Sequence, residues 1–220
     1  MSILFLADDH FGSLGGRRLK EALDDKFDFS FHENGDYVEY LKKADFSNHS
    51  ALVTCAIGDT CGVPHAPAEC EEAFREWLET GVPVVLLHGG SATFWKWSWW
   101  RRLVGLRWVR GNDPDGIEPS YHPVEPYPIK ATQSSHPLAA KLTPFDAPKD
   151  EIYLKLEKTQ PLEVLLETEF EGTRYPLAHA SKSQFGNPVY GYLPGHHPEV
   201  VLHPANLANV EAIIRHAFEG

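Results

Sequence analysis

The chain has 220 residues, of which 42% are apolar, 12% aromatic and 23% charged; that balance can bury a sizeable core and excludes a disordered tail or a collagen-like repeat. Thirty-one acidic residues against twenty basic ones give a formal charge of -11, which repels a polyphosphate backbone, so nucleic acid is not an expected partner. No apolar run approaches the roughly 20 residues of a membrane helix, and Met1 to Leu6 lacks the length and basic flank of a signal peptide, so a soluble protein without a membrane partner is expected.

Ser2 to Ala7 (SILFLA) is a short apolar run that ends at Asp8, Asp9 and His10, the pattern of a buried parallel strand running into a polar loop. A helix is predicted over Gly16 to Asp25, with Leu19, Ala22 and Leu23 on one face. Phe27, Phe29 and Phe31 alternate with polar residues and predict a strand; Tyr37, Val38 and Leu41 predict a short helix. Ala51 to Ile57 reads as a third strand closed by Gly58 and Asp59, Ala68 to Thr80 as a helix stopped at Gly81, and Val82 to Leu87 as a fourth strand ending at His88-Gly89-Gly90. Ser91 to Leu103, rich in aromatics, is predicted helical. Eight prolines between Pro114 and Pro148 cut the stretch from Arg107 to about Pro161 into an elaborated loop region, within and after which Ile152–Leu156, Leu162–Glu167, Tyr175–Ala180 and Pro188–Leu193 read as strands. Ala205 to Phe218 closes the chain as a helix. Strands alternating with helices imply a single α/β domain, residues 1–220, with a parallel sheet covered on both faces.

In such a fold ligands bind beyond the carboxyl ends of the parallel strands. That rule singles out Asp8 and His10 after the first strand and His88 after the fourth, where Gly89 and Gly90 allow a ligand to approach the backbone. Near the other end, Gly195-His196-His197-Pro198-Glu199 follows a strand. Neighbouring residues there point to opposite faces, so one of His196 and His197 is expected to face a pocket, and a histidine backed by a carboxylate such as Glu199 can act as general acid or base. The five aromatics Phe94, Trp95, Trp97, Trp99 and Trp100 span too wide an arc for one helix face. Trp95 and Trp97, nearest His88, are expected to face a ligand, and the surplus makes a homodimer an expectation. Cys55, Cys61 and Cys70 form an odd set without C-x-x-C spacing, which fits a reducing cytoplasm.

His88-Gly89-Gly90 through Phe94, Trp97 and Leu103 to Val109 resembles the central block of the ThuA-like proteins, associated with trehalose utilisation. His136-Pro137-Leu138 with Phe145 and Asp150-Glu151-Ile152-Tyr153, and Tyr190 to His196, are similar to two further blocks of that family. Arg110 and Gly111 stand where many members carry a histidine, and Ser183 to Asn187 replace a glycine-rich run. The resemblance implies a three-layer, doubly wound, mostly parallel sheet of the flavodoxin-like or class I glutamine amidotransferase-like type. It also implies a role in carbohydrate metabolism, with a sugar or sugar derivative as the small-molecule partner. His88 stands where the amidotransferases carry a nucleophilic cysteine, and an imidazole cannot form a glutamyl thioester, so glutaminase activity is not expected.

The residues therefore suggest acid–base work by His88 with His196 or His197 and Glu199, and sugar contacts from Asp8, His10, Gly89, Gly90, Trp95, Trp97, His136 and Glu151. Two alternatives stand beside this: a sugar-binding or regulatory module with a relic triad, and a metal-assisted hydrolase or isomerase with a divalent metal on His10, His88 and His196.

Overall fold

The computed structural model describes residues 1–219. In chain order its elements are β1 (Ser2–Ala7), α1 (Gly15–Leu23), β2 (Phe29–Glu33), α2 (Gly35–Leu41), β3 (His49–Cys55), α3 (Glu71–Glu79), β4 (Val84–Leu87), α4 (Ser98–Leu103) and β5 (Leu106–Arg107). There follow β6 (Val124–Ala131), β7 (Phe145–Glu151), β8 (Glu157–Lys158), β9 (Leu162–Phe170), β10 (Thr173–Lys182), β11 (Pro188–Tyr192), α5 (Pro198–Val201) and α6 (Pro204–Glu219). Nine strands form one sheet in the order β2-β1-β3-β4-β11-β10-β9-β6-β7. From β2 to β11 every pairing is parallel, and β10, β9, β6 and β7 extend that core antiparallel.

The alternation within β1 explains the layers. Ile3, Phe5 and Ala7 pack with Leu19 and Leu23 of α1 and Val210, Ile213 and Ile214 of α6, whereas Leu4 and Leu6 pack with Tyr37 and Val38 of α2 and Phe74, Trp77 and Leu78 of α3. Helices thus cover both faces of the parallel strands, as the sequence predicts. The chain leaves β1 for β2 on one side and returns to β3 on the other, which puts the reversal of strand order between β1 and β3. No helix among the described residues is long and apolar enough to cross a membrane.

Three local expectations change. Irregular chain fills 108–123, but the rest of the proline-dense stretch carries β6 and β7. Pro126 and Pro128 are tolerated because β6 meets β9 only at Lys130 and Ala131, and Pro148 because β7 is the edge strand. The predicted strand Ile152–Leu156 is an irregular continuation of β7 in which the Leu154 N–H donates to the Tyr121 carbonyl, giving one isolated bridge. The predicted helix from Ser91 begins only at Ser98, since Phe94 takes φ 48 and breaks it. The aromatic run then folds inward: Phe94 and Trp97 stack at 4.5 Å, and Trp99 and Trp100 are buried beside them, so the run offers no exposed aromatic stripe.

Candidate functional site

Four segments meet beyond the carboxyl ends of β1, β3, β4 and β11. After β1, Asp8 and His10 are both buried. His10 Nδ1 donates to Asp8 Oδ1 at 2.7 Å, while the Ile57 and Gly58 N–H groups donate to Asp8 Oδ2 at 2.8 and 2.7 Å. Both carboxylate oxygens are thereby engaged: the group ties the end of β1 to the end of β3 and fixes the His10 tautomer, leaving a lone pair on Nε2. That Nε2 is buried and has no hydrogen-bond partner among the described residues.

After β4 the chain turns so sharply that His88 itself takes φ 43, a left-handed conformation costly for any residue with a Cβ. Two bonds hold it there. Its Nδ1 donates to the Leu193 carbonyl at 2.9 Å, so Nε2 accepts from the Tyr153 hydroxyl at 3.0 Å. The His88 ring lies 5.5 Å from His10 and 5.3 Å from His196. Burial, reinforced by the neighbouring His10, holds the His88 imidazole well below the ordinary histidine range. Gly89 and Gly90 serve packing here: a Cβ on Gly90 would sit 2.4 Å from the Thr54 carbonyl oxygen and one on Gly89 2.7 Å from Ile57. Neither lines the cavity.

After β11, Asp150 shapes the turn by accepting from the backbone N–H groups of Gly195, His196 and His197 at 2.6, 3.0 and 2.9 Å. The turn sends His196 into the cavity and His197 away from it. His197 caps α5, and no hydrogen bond or ion pair among the described residues joins it to Glu199, which is exposed. Burial, then the neighbouring His10, His197 and His122, push His196 down to about 4.

At the centre stands Glu151, the last residue of β7. Its oxygens lie 3.5 Å from His88 Nε2, 3.6 Å from His196 Nδ1 and 3.6 Å from His122 Nδ1. Burial, then the nearby Asp150 carboxylate, push Glu151 up to about 7, against the opposing pull of His10. Glu151, His196 and His122 open, with His10, onto a cavity of about 390 Å³ also walled by Phe11, Trp108, Tyr153 and Arg110, whereas His88 lies behind that lining; the volume is within the usual span of roughly 300–1,000 Å³ for small-molecule sites.

Of the residues that the sequence nominates, the structure brings His10, His88, His196 and Glu151 together, with Asp8 directly behind His10. It places Trp97 in the aromatic core, and Trp95 behind Arg110, whose guanidinium lies 5.0 Å over its ring. His136 sits elsewhere, 5.4 Å from His216 of α6 and 6.2 Å from Tyr190. Sequence reasoning missed Phe11, Trp108 and His122. The pairing of Tyr121 with Leu154 is what carries His122 beside Glu151, and no local pattern announces it. A metal could be held by His10, His88 and His196, each of which offers one ring nitrogen, all within 4.8 Å of one another.

Residues 11–217 match the family described as ThuA, trehalose utilisation. A crystal structure of a protein from Parabacteroides merdae described as ThuA-like superposes with a TM-score of 0.76 at 20% identity, over 99% of this chain and 90% of that one. A glutamine amidotransferase from Thermotoga maritima superposes with a TM-score of 0.53 at 12% identity, over the whole of both chains. At these identities the two likenesses establish the fold. No curated protein matches the chain.

Proposed function

Because the chain belongs to the ThuA, trehalose-utilisation family, we propose that its cavity binds a sugar or sugar derivative and moves protons on it, with His10 as base and Glu151 as acid. One observation carries the reading: an unpartnered, buried His10 Nε2, oriented by Asp8, opens onto the same cavity as a carboxyl group poised at about 7. A group with that poise both gives and takes a proton near neutrality, and the His10–Asp8 pair has the base-and-orienter form that general acid–base catalysis needs. His88, kept neutral, and Tyr153 position Glu151 from behind, while Phe11 and Trp108 supply the flat apolar faces on which the C–H side of a sugar ring can pack. Burial pushes Cys55 and Cys70 up to about 12 and 11, and His88 occupies the turn at which a glutaminase would need its cysteine. The three free cysteines support a cytoplasmic location.

A second reading rests on the convergence of His10, His88 and His196. A divalent metal held there would polarise a sugar oxygen or activate water, with Asp8 and the Leu193 carbonyl orienting two of the rings through their Nδ1 atoms. The two readings separate on metal content and variants. Purified protein without a histidine tag is analysed for bound metal, and turnover of a sugar panel that includes trehalose is followed by NMR. The acid–base reading expects metal-free protein to retain full turnover, and His10→Asn and Glu151→Gln each to lose about a hundredfold or more. Stoichiometric metal whose removal abolishes turnover favours the second reading, and wild-type rates in both variants contradict the first.

A further inference from the structure

Arg110, on the cavity wall, makes no ion pair with any described residue; the Asp59 and Asp8 carboxylates act on it only at longer range. Its Nη2 donates to the Gly58 carbonyl at 2.7 Å and its Nη1 to the Asp59 carbonyl at 3.4 Å, and its guanidinium lies over Trp95. These contacts fix the group without neutralising it. The Asp59 carboxylate is engaged by Lys96 at 2.8 Å, and among the described residues no carboxylate lies within ion-pair distance of Arg110. The two buried arginines of the segment differ: Arg101 is paired with Asp115, and Arg107 with Asp113 and Glu157. Glu151 belongs to another wall, among His88, His122 and His196.

From this, and resting on the sugar reading above, we propose that the cavity selects a sugar derivative carrying an anionic substituent, a carboxylate or a phosphate, and that Arg110 binds that substituent. A half-buried guanidinium, stacked and anchored with N–H donors to spare, matches planar or tetrahedral oxyanions and is more than a neutral hydroxyl requires. Leaving it unpaired next to a partly desolvated cavity is costly, and an anion at that position offsets the cost.

Isothermal titration of wild type, Arg110→Gln and Arg110→Lys with glucose, trehalose, glucuronate and glucose 6-phosphate tests this. Wild type is expected to bind at least one anionic sugar about tenfold or more tightly than the neutral ones, as charge-assisted bonds imply. The glucuronate and glucose 6-phosphate arms tell carboxylate from phosphate. R110Q, with its fold checked by circular dichroism and urea unfolding, is expected to lose the preference, and R110K to keep part of it. Neutral sugars bound as tightly as anionic ones, or a preference that survives R110Q, overturns the assignment to Arg110 alone. Binding of none of the four sugars overturns the sugar reading together with it.

Discussion

His10 presents a lone pair to the cavity only because Asp8 accepts a hydrogen bond from its Nδ1–H and so keeps the proton there, and the reactivity of one residue is set by its neighbour. From the sequence, Asp8 is expected to touch substrate hydroxyls. Its oxygens are instead committed to His10, Ile57 and Gly58, a commitment that depends on β3 ending beside β1 and leaves no trace in the local sequence. Asp8→Asn sharpens the point. The amide can still accept from the backbone N–H groups, but its NH₂ then faces His10 Nδ1 and favours the tautomer that carries the proton on Nε2. Turnover is expected to fall by about two orders of magnitude or more while sugar affinity changes by a few fold. Equal losses in kcat and affinity would instead indicate that Asp8 binds substrate.

Among the elements, the strand ends were the legible part. An apolar run delivering Asp8 and His10, and another delivering His88, identify half of the site before any coordinates, because parallel strands buried on both faces read as unbroken apolar segments. The walls were not legible. Trp108, Arg110 and His122 lie on the irregular stretch 108–123, whose course is set by ion pairs between Arg107, inside the family-like block, and the acidic residues Asp113 and Glu157 outside it. Arg107 is buried against Asp113 at 2.5 Å and also bonds Glu157 at 2.6 Å, which pins that stretch to β8. The aromatic run misleads for a related reason: its helical spacing is broken by the left-handed Phe94, which turns Trp97 into the core. Arg107→Met leaves Asp113 buried and unpaired, and a stability loss of about 3–5 kcal/mol is expected in urea unfolding. Hydrogen exchange should increase first in residues 108–123. A loss below about 1 kcal/mol, or uniform exchange, would show that the stretch is held by something else.

At the level of the whole molecule, the twelve histidines divide into a buried set and a peripheral remainder. Besides His88 and His196 in the site, His179 of β10 is held down to about 4 by burial alone, in a slot where a Cβ on Gly191 would come within 2.2 Å of its Nε2. A histidine whose folded pKa is depressed contributes stability that is present above its unfolded value near 6.5 and is lost as pH falls through about 4, because the unfolded chain takes up the proton first. Glu151, raised by burial, acts in the opposite sense, stabilising below its unfolded value and losing that contribution as pH rises through about 7. Comparison with His179→Gln isolates one histidine from this sum. Between pH 6.5 and 4 the wild type is expected to lose stability more steeply than the variant, by up to about 1.4 kcal/mol per pH unit, and parallel pH profiles would contradict the buried neutral assignment. The fold, the family and the convergence of strand ends all lead to one cavity, and the claim that it is a sugar site is tested most directly by a crystal structure of the protein soaked with the sugar panel. The account predicts a sugar between Phe11 and Trp108 with an oxygen or carbon-bound proton within reach of His10 Nε2 and Glu151; sugar bound elsewhere on the surface, with this cavity left to solvent, would contradict it.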